Sequence, residues 1–383
     1  MSALRARLVR RRPYPIDATL GCEPGELLAI AGPSGSGKST MLRMIAGLER
    51  IEAGRVACGD ALWADPARGR HLAPEHRAVG LVFQSYALFP HLDARNNVAA
   101  ALGHLPRAER RARAEALLAL VNLEGLGARR PGALSGGQRQ RVALARALAR
   151  VEAPGPGVLL LDEPFAAVDA LTRERLHREL ARLRHRLERP VLLVTHDLQE
   201  VLLLADRVCV VHRGTDLDTG SVERVTARPG SARVARLLGH RNLLPATVLG
   251  RDGDALELAL GTGAARVRAP VPDGQDAMPA VAGVPATLLV PRSAIVLHRR
   301  DRPSRGEREN PLDARVEELV RLGDEVSVRA RLAAGPRLAF RLSRHVAERN
   351  ALAGGVPVRL SLVARELHAM GAEAPDAREG EPG

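Results

Sequence analysis

The stretch Gly32-Pro33-Ser34-Gly35-Ser36-Gly37-Lys38-Ser39-Thr40 fits the spacing G-x-x-x-x-G-K-[ST]. Gly32, Gly35 and Gly37 let successive backbone N–H groups turn inward around phosphate oxygens, with Pro33, Ser34 and Ser36 completing the loop. An apolar strand pattern (27–31) precedes the motif and a helical pattern (38–48) follows it. The helix therefore adds its positive N-terminal end, with Thr40 in the first turn. Lys38 is placed to reach β- and γ-phosphate oxygens, and the Ser39 hydroxyl to ligate Mg²⁺. Of 57 Lys and Arg residues, Lys38 alone is lysine. A compact ammonium on a thin stem enters a closed loop where a planar guanidinium fork would collide.

The motif alone does not separate kinases, GTPases and motors; its companions do. The apolar run Val158–Leu161 ends in Asp162-Glu163-Pro164. A strand delivering two carboxylates beside the loop divides the labour: Asp162 holds Mg²⁺ and Glu163 polarises an attacking water. The segment Leu134-Ser135-Gly136-Gly137-Gln138 lies upstream, with Ser135 27 residues before Asp162. It opens a helical pattern over 138–150. By itself it could be only a helix cap. A second phosphate-ready helix start beside one P-loop points instead to the nucleotide of another copy, and hence to a head-to-tail dimer.

Together, the P-loop, LSGGQ, LLLDEP, the Asp169 loop and Val194-Thr195-His196-Asp197 resemble the nucleotide-binding subunit of an ATP-binding cassette (ABC) transporter. The motifs span 32–197 and the resemblance covers roughly 1–238. It implies an α/β P-loop cassette that binds ATP and Mg²⁺ and hydrolyses the ATP. It implies that Gln84, in VGLVFQ, senses Mg²⁺ and the membrane partner, and that His196, 33 residues after Glu163, contacts the γ-phosphate. Asp169, in AAVDA, matches a loop where the family usually carries SALD, so this chain departs at Ala166 and Val168. The family stacks adenine on an N-terminal aromatic; the candidate is Tyr14, 24 residues before Lys38. Ser85-Tyr-Ala-Leu-Phe-Pro-His91 follows Gln84 and, in bacterial importers, borders the groove for the permease's coupling helix. The resemblance implies an importer motor acting with a permease and, indirectly, a periplasmic solute-binding protein, on the cytoplasmic face of the inner membrane. A cassette ATPase acting on nucleic acid or the ribosome is the alternative. RHLAPEHRAVGLVFQ and a tandem C-terminal repeat look closest to the molybdate type, with sulfate, iron(III) and spermidine importers similar.

Composition bounds the alternatives. The formal charge is +13, which invites a nucleic-acid reading. Aromatic residues are only 2%, too few for base-stacking platforms, and the arginines are interleaved with Glu and Asp, as in RAERRARAEALL (107–118). No nucleic-acid partner is expected; attraction to an anionic membrane surface suits the charge better. Cys22, Cys58 and Cys209 show no C-x-x-C spacing, as expected in a reducing compartment. The basic N-terminus lacks a following apolar segment, and no apolar run reaches 18 residues, so neither a signal peptide nor a membrane span is expected.

The elements that must position these residues are continuous apolar runs: 27–31, 79–83, 158–161, 191–195 and 208–211. Continuous apolarity suits parallel strands covered on both faces. Helical patterns over 38–48, 107–121, 138–150, 171–187 and 199–205 alternate with them, and helices without strands mark an inserted subdomain within about 85–157. From about residue 239 to 370, Gly, Pro and alternating Val/Leu/Arg patterns take over. Asn242-Leu-Leu-Pro-Ala-Thr-Val248 is echoed by Asn310-Pro-Leu-Asp-Ala-Arg-Val316, and Gly283-Val-Pro285 by Gly355-Val-Pro357, at offsets of 68 and 72. Two similar small β units, joined by a charged linker over 299–310, follow from this repeat; they resemble the small OB-like (TOBE/MOP-like) domains appended to such importers. Molybdate-binding units often begin Ser-x-Arg-Asn. Here Glu307-Arg308-Glu309-Asn310 stands instead, and its carboxylates would repel an oxyanion. This unit is therefore expected to brace the dimer without a ligand. The segment 371–383 is expected to be disordered.

Overall fold

The computed structural model describes residues 3–166, 168, 170–261, 265–272, 279, 281–299, 309–333 and 335–372, with backbone alone at 170–172 and 183–186. The chain forms two compact units, Met1–Val222 and Glu223–Gly383.

The first unit is built on an eleven-stranded sheet. Five parallel strands make its working half, in the order Arg207–His212, Leu27–Ala31, Val191–Thr195, Gly157–Asp162 and Ala78–Val82. Every residue of Leu27–Ala31, Gly157–Asp162 and Val191–Thr195 is buried, which is why these segments read as unbroken apolar runs. The other half is mostly antiparallel and holds Leu4–Arg10, Ile16–Cys22 and Ala53–Cys58. None of these outer strands was expected from the apolar runs. Leu4–Arg10 alternates leucine, alanine and arginine, so only one of its faces is covered.

The helices fall close to their expected places. Lys38–Ala46 stops at Gly47, whose φ of 84° lets the chain leave the helix. Fully buried Arg77 closes that helix's C-terminus, donating to the carbonyls of Met44 and Ile45 at 3.2 and 2.6 Å. Burial pushes the Arg77 guanidinium down to about 10. Ala94–Ala99, Arg107–Leu120 and Gly136–Val151 pack through Val98, Leu117, Val142 and Leu148 as the expected helical insertion. The short helix Ala94–Ala99 is an addition, started by the Asp93 side chain accepting from Asn96 N–H.

The second unit has the expected all-β core, against which the short helix Ala232–Leu237 packs, with Ala235 on Leu289 and Met370. Its two five-stranded sheets repeat one order. The first runs Ala265–Pro270, Ala255–Leu260, Leu243–Asp252, Pro285–Leu289, His368–Gly371. The second runs Arg337–Ser343, Glu325–Leu332, Pro311–Leu322, Pro357–Leu362, Ile295–Leu297. The fifth strand of each sheet comes from the other half of the chain, so the repeats share one core rather than standing as separate beads. Most of the charged linker and the segment 373–383 lie outside the described residues, whereas Gly371 ends a strand.

The repeated asparagines explain their own presence. Buried Asn242 donates to the carbonyls of Val290 and Ala339 and accepts from Ala339 N–H. Buried Asn310 does the same with Leu362 and Arg268. Asn242 thus ties its half to Arg337–Ser343, and Asn310 ties its half to Ala265–Pro270. Asn310→Ala strands three backbone groups and should cost about 2 kcal/mol, lowering the unit's melting temperature by roughly 4–8 °C. Calorimetry of the full chain checks this; an unmoved transition means the amide contributes nothing.

Candidate functional site

The P-loop connects the fully buried strand Leu27–Ala31 to the helix Lys38–Ala46. Its glycines answer to space as well as to phosphate. A Cβ on Gly32 would stand 2.1 Å from the Val211 carbonyl oxygen, and one on Gly37, at φ 96°, 2.7 Å from Ile16 and 3.1 Å from the Tyr14 ring. Lys38 is buried, and its ammonium folds back onto the loop, donating to the carbonyls of Gly32 and Pro33 at 2.8 Å each. Ser36 Oγ stands 3.5 Å away. Burial pushes the Lys38 ammonium down, against the pull of Glu163 and Asp162. Pro33, Ser34 and Gly35 are exposed at the loop's tip, while Ser39 and Thr40 are half-buried in the helix's first turn. This cradle of N–H groups, helix end and buried cation fits a polyphosphate.

The strand Gly157–Asp162 brings its carboxylate to the same place. Ser39 Oγ donates to Asp162 Oδ1 at 2.8 Å. Burial raises the Asp162 carboxyl, opposed chiefly by that hydrogen bond. A hydroxyl and a carboxylate, both hard oxygen donors, beside a phosphate cradle are the donor set that suits Mg²⁺, which keeps most of its waters and takes one or two protein ligands.

Glu163 gathers the other sequence candidates. Its φ of 44° lies in the left-handed region, disfavoured for a residue with a Cβ, and its N–H is held by the Val194 carbonyl at 3.0 Å. That turn aims the side chain so that Gln84 Nε2 donates to Oε2 at 3.2 Å while His196 Nδ1 lies 3.3 Å from Oε1. Three strand ends, after Val82, Asp162 and Thr195, thus deliver Gln84, Glu163 and His196 to one cluster beside Lys38 and Asp162. An acid flanked by an amide and an imidazole can orient a water and take its proton.

Tyr14 lies against Gly37, at the start of the P-loop helix. Ser135 caps Gly136–Val151, its Oγ accepting from Gln138 N–H at 3.2 Å while Gln138 Oε1 accepts from Ser135 N–H at 2.9 Å. Gly136 and Gly137 leave that helix start free of side chains. Among the described residues, the Ser135–Gln138 segment makes no hydrogen bond to the P-loop. Asp169 lies outside the described residues.

Sequence reasoning passed over Arg146. It extends from the helix that Ser135 opens and donates to the carbonyls of Tyr86 and Ala87 at 2.9 and 2.7 Å. Those residues sit at φ 62° and 43°, so Arg146 holds a bend just after Gln84. It also lies 5.5 Å over the half-exposed Phe89 ring. Nothing in an arginine-rich helix marked this one. Beside it, Leu81, Phe83, Ala87, Phe89 and Ala101 line an open groove of about 480 Å³.

Comparison with known proteins fits this geometry. Residues 16–166 match the family model described as ABC transporter, and 293–370 that described as TOBE domain. The sulfate/thiosulfate import ATP-binding protein CysA of Gloeobacter violaceus is 39% identical over 345 residues, 89% of this chain and 88% of that protein. The chain belongs to the ATP-binding proteins of ABC importers. Within this family, the Fe(3+) ions import ATP-binding protein FbpC of Agrobacterium fabrum is 42% identical over 69% of this chain and 73% of its own length. Sulfate/thiosulfate import ATP-binding protein CysA 1 of the same organism is 45% identical over 64% and 69%. The solutes in these names are sulfate, thiosulfate and iron(III) rather than molybdate. As an ABC cassette, the chain binds ATP and is an ATPase. Among the described residues, no helix is long and apolar enough to cross a membrane.

Proposed function

We propose that this chain is the motor of an importer for a small inorganic ion, sulfate-like or ferric, and works at the cytoplasmic face of the membrane. The observation that carries the reading is the meeting of Gln84, Glu163 and His196 beside the Lys38–Ser39–Asp162 cradle. Lys38 and the loop N–H groups hold the β- and γ-phosphates. Ser39 and Asp162 would hold Mg²⁺, with Gln84 sensing it; the ion, when bound, would neutralise phosphate charge. Glu163 takes a proton from the attacking water and His196 steadies the γ-phosphate. Tyr14 stacks on adenine. The Ser135–Gln138 helix start and Asp169 of a second copy close over the nucleotide, giving a head-to-tail homodimer with two shared sites. The permease seats a helix in the groove at Leu81, Phe83 and Phe89, beside Ser85–His91. A periplasmic protein delivers the solute.

The C-terminal unit braces the pair without an anion. Glu309, standing where Ser-x-Arg-Asn carries its arginine, accepts from Ala364 N–H at 2.7 Å and so is committed to a backbone turn. Glu307 and Arg308 lie outside the described residues.

The nucleic-acid alternative is separated by one assay. ATPase activity of the purified chain should rise several-fold with its permease in liposomes and stay flat with duplex DNA or ribosomes. Stimulation by nucleic acid and none by the permease overturns the importer reading.

A further inference from the structure

Behind His196 lies a buried polar contact that the hydrolysis scheme does not use. Glu200, on the helix Leu198–Leu204, is 5% exposed, and its Oε2 accepts from Thr195 Oγ1 at 2.5 Å. Thr195 is the residue before His196 and is itself 2% exposed. Its Oγ1 also accepts from Asp197 N–H at 3.0 Å, so one hydroxyl brackets His196 from both sides. The Asp197 carboxylate in turn caps the helix carrying Glu200, accepting from Gln199 N–H at 2.8 Å.

The other Glu200 oxygen faces His177 Nε2 at 3.7 Å. His177 belongs to the helix Ala170–Leu187 and is 7% exposed. Its ring stands edge-on to Phe165 at 4.5 Å between centroids, and Phe165 is two residues beyond Glu163. One continuous line of contact therefore runs from the Glu163 turn, through Phe165, His177 and Glu200, to Thr195 and the His196 turn. A buried carboxylate is costly unless it is hydrogen-bonded, so such a group is kept where its bonds hold something in place.

We propose that Glu200 is a positioning residue for hydrolysis: through Thr195 it fixes the turn that presents His196, and through His177 and Phe165 it ties that turn to Glu163. This rests on the roles given above to Glu163 and His196. The strand pairing sets where these two backbones end. The Glu200 contacts set how the chain turns after His196, where strand hydrogen bonds no longer reach.

Thr195→Val tests this with little change of shape, since it removes the hydroxyl and keeps the volume. The purified full chain should lose on the order of tenfold in kcat, the size expected for one buried charge-assisted hydrogen bond. Its KM for ATP should stay within about twofold, because the phosphate cradle is untouched. Thr195→Ser, which keeps the hydroxyl, should restore kcat. Leu180→Val, a small packing loss on the helix that carries His177, should lower the melting temperature without lowering kcat. Unchanged kcat in Thr195→Val, no rescue by serine, or an equal loss of kcat in Leu180→Val overturns the proposal and leaves Glu200 a packing residue. His196→Ala separates the two levels. If it hydrolyses ATP normally, the role given to His196 fails and the proposal falls with it. If it loses activity while Thr195→Val does not, only the proposal fails.

Discussion

Glu163→Gln is expected to bind ATP as tightly as the parent and to hydrolyse it on the order of 10²-fold more slowly or worse, the loss expected when a general base is removed. The amide is isosteric with the carboxylate, so its oxygen can still meet Gln84 Nε2, now 3.2 Å from Oε2, or His196 Nδ1, 3.3 Å from Oε1. The left-handed turn at Glu163 rests on a backbone hydrogen bond to Val194 and is indifferent to the change. Only the ability to take a proton disappears. Binding without hydrolysis should also trap the closed homodimer. Cysteines placed at Ser36 and Gly137 should then join two different chains in ATP, while size-exclusion chromatography registers the dimer. Normal turnover in the variant places the base elsewhere; crosslinks confined to one chain sink the head-to-tail arrangement.

Lys38→Arg keeps the charge and is expected to abolish tight ATP binding. Lys38 is 5% exposed, and its ammonium lies within 2.8 Å of two loop carbonyls, with Ser36 Oγ at 3.5 Å. A guanidinium adds volume against those two carbonyls and the Ser36 hydroxyl, which already close on the smaller ammonium. Overpacking of about 1–3 kcal/mol, together with misplaced charge-assisted hydrogen bonds of about 1.5–3 kcal/mol, amounts to a loss on the order of 10²- to 10⁴-fold in affinity. Titration calorimetry with ATP and Mg²⁺ is the measurement. Near-parent affinity would remove the steric account of why one lysine survives in a chain otherwise written in arginine.

Much of the cassette was legible in the sequence because its demands are local. A loop that wraps phosphate needs glycines at fixed positions, and a strand buried on both faces needs an unbroken apolar run. Gly32–Thr40, Asp162-Glu163 and the central strands therefore announce themselves. The repeat at Asn242 and Asn310 was legible too, since each half needs the same amide at the same point. The outer strands Leu4–Arg10 and Ile16–Cys22 were not, because a half-covered strand alternates apolar and polar residues and resembles many loops.

The sequence by itself determined which residues could do the chemistry, through residue type and short-range spacing. Tertiary structure decided which of them meet. Gln84 and His196 lie 79 and 33 residues from Glu163, and only the parallel pairing of their strands brings the three ends together. It also decided the supporting contacts at Arg146 and Glu200, which look in sequence like surface charges and are recognisable only by what they touch. The exchange of edge strands between the β halves belongs to the same class: strand pairing is a long-range choice, made by the core that both halves bury and not by the residues of either strand.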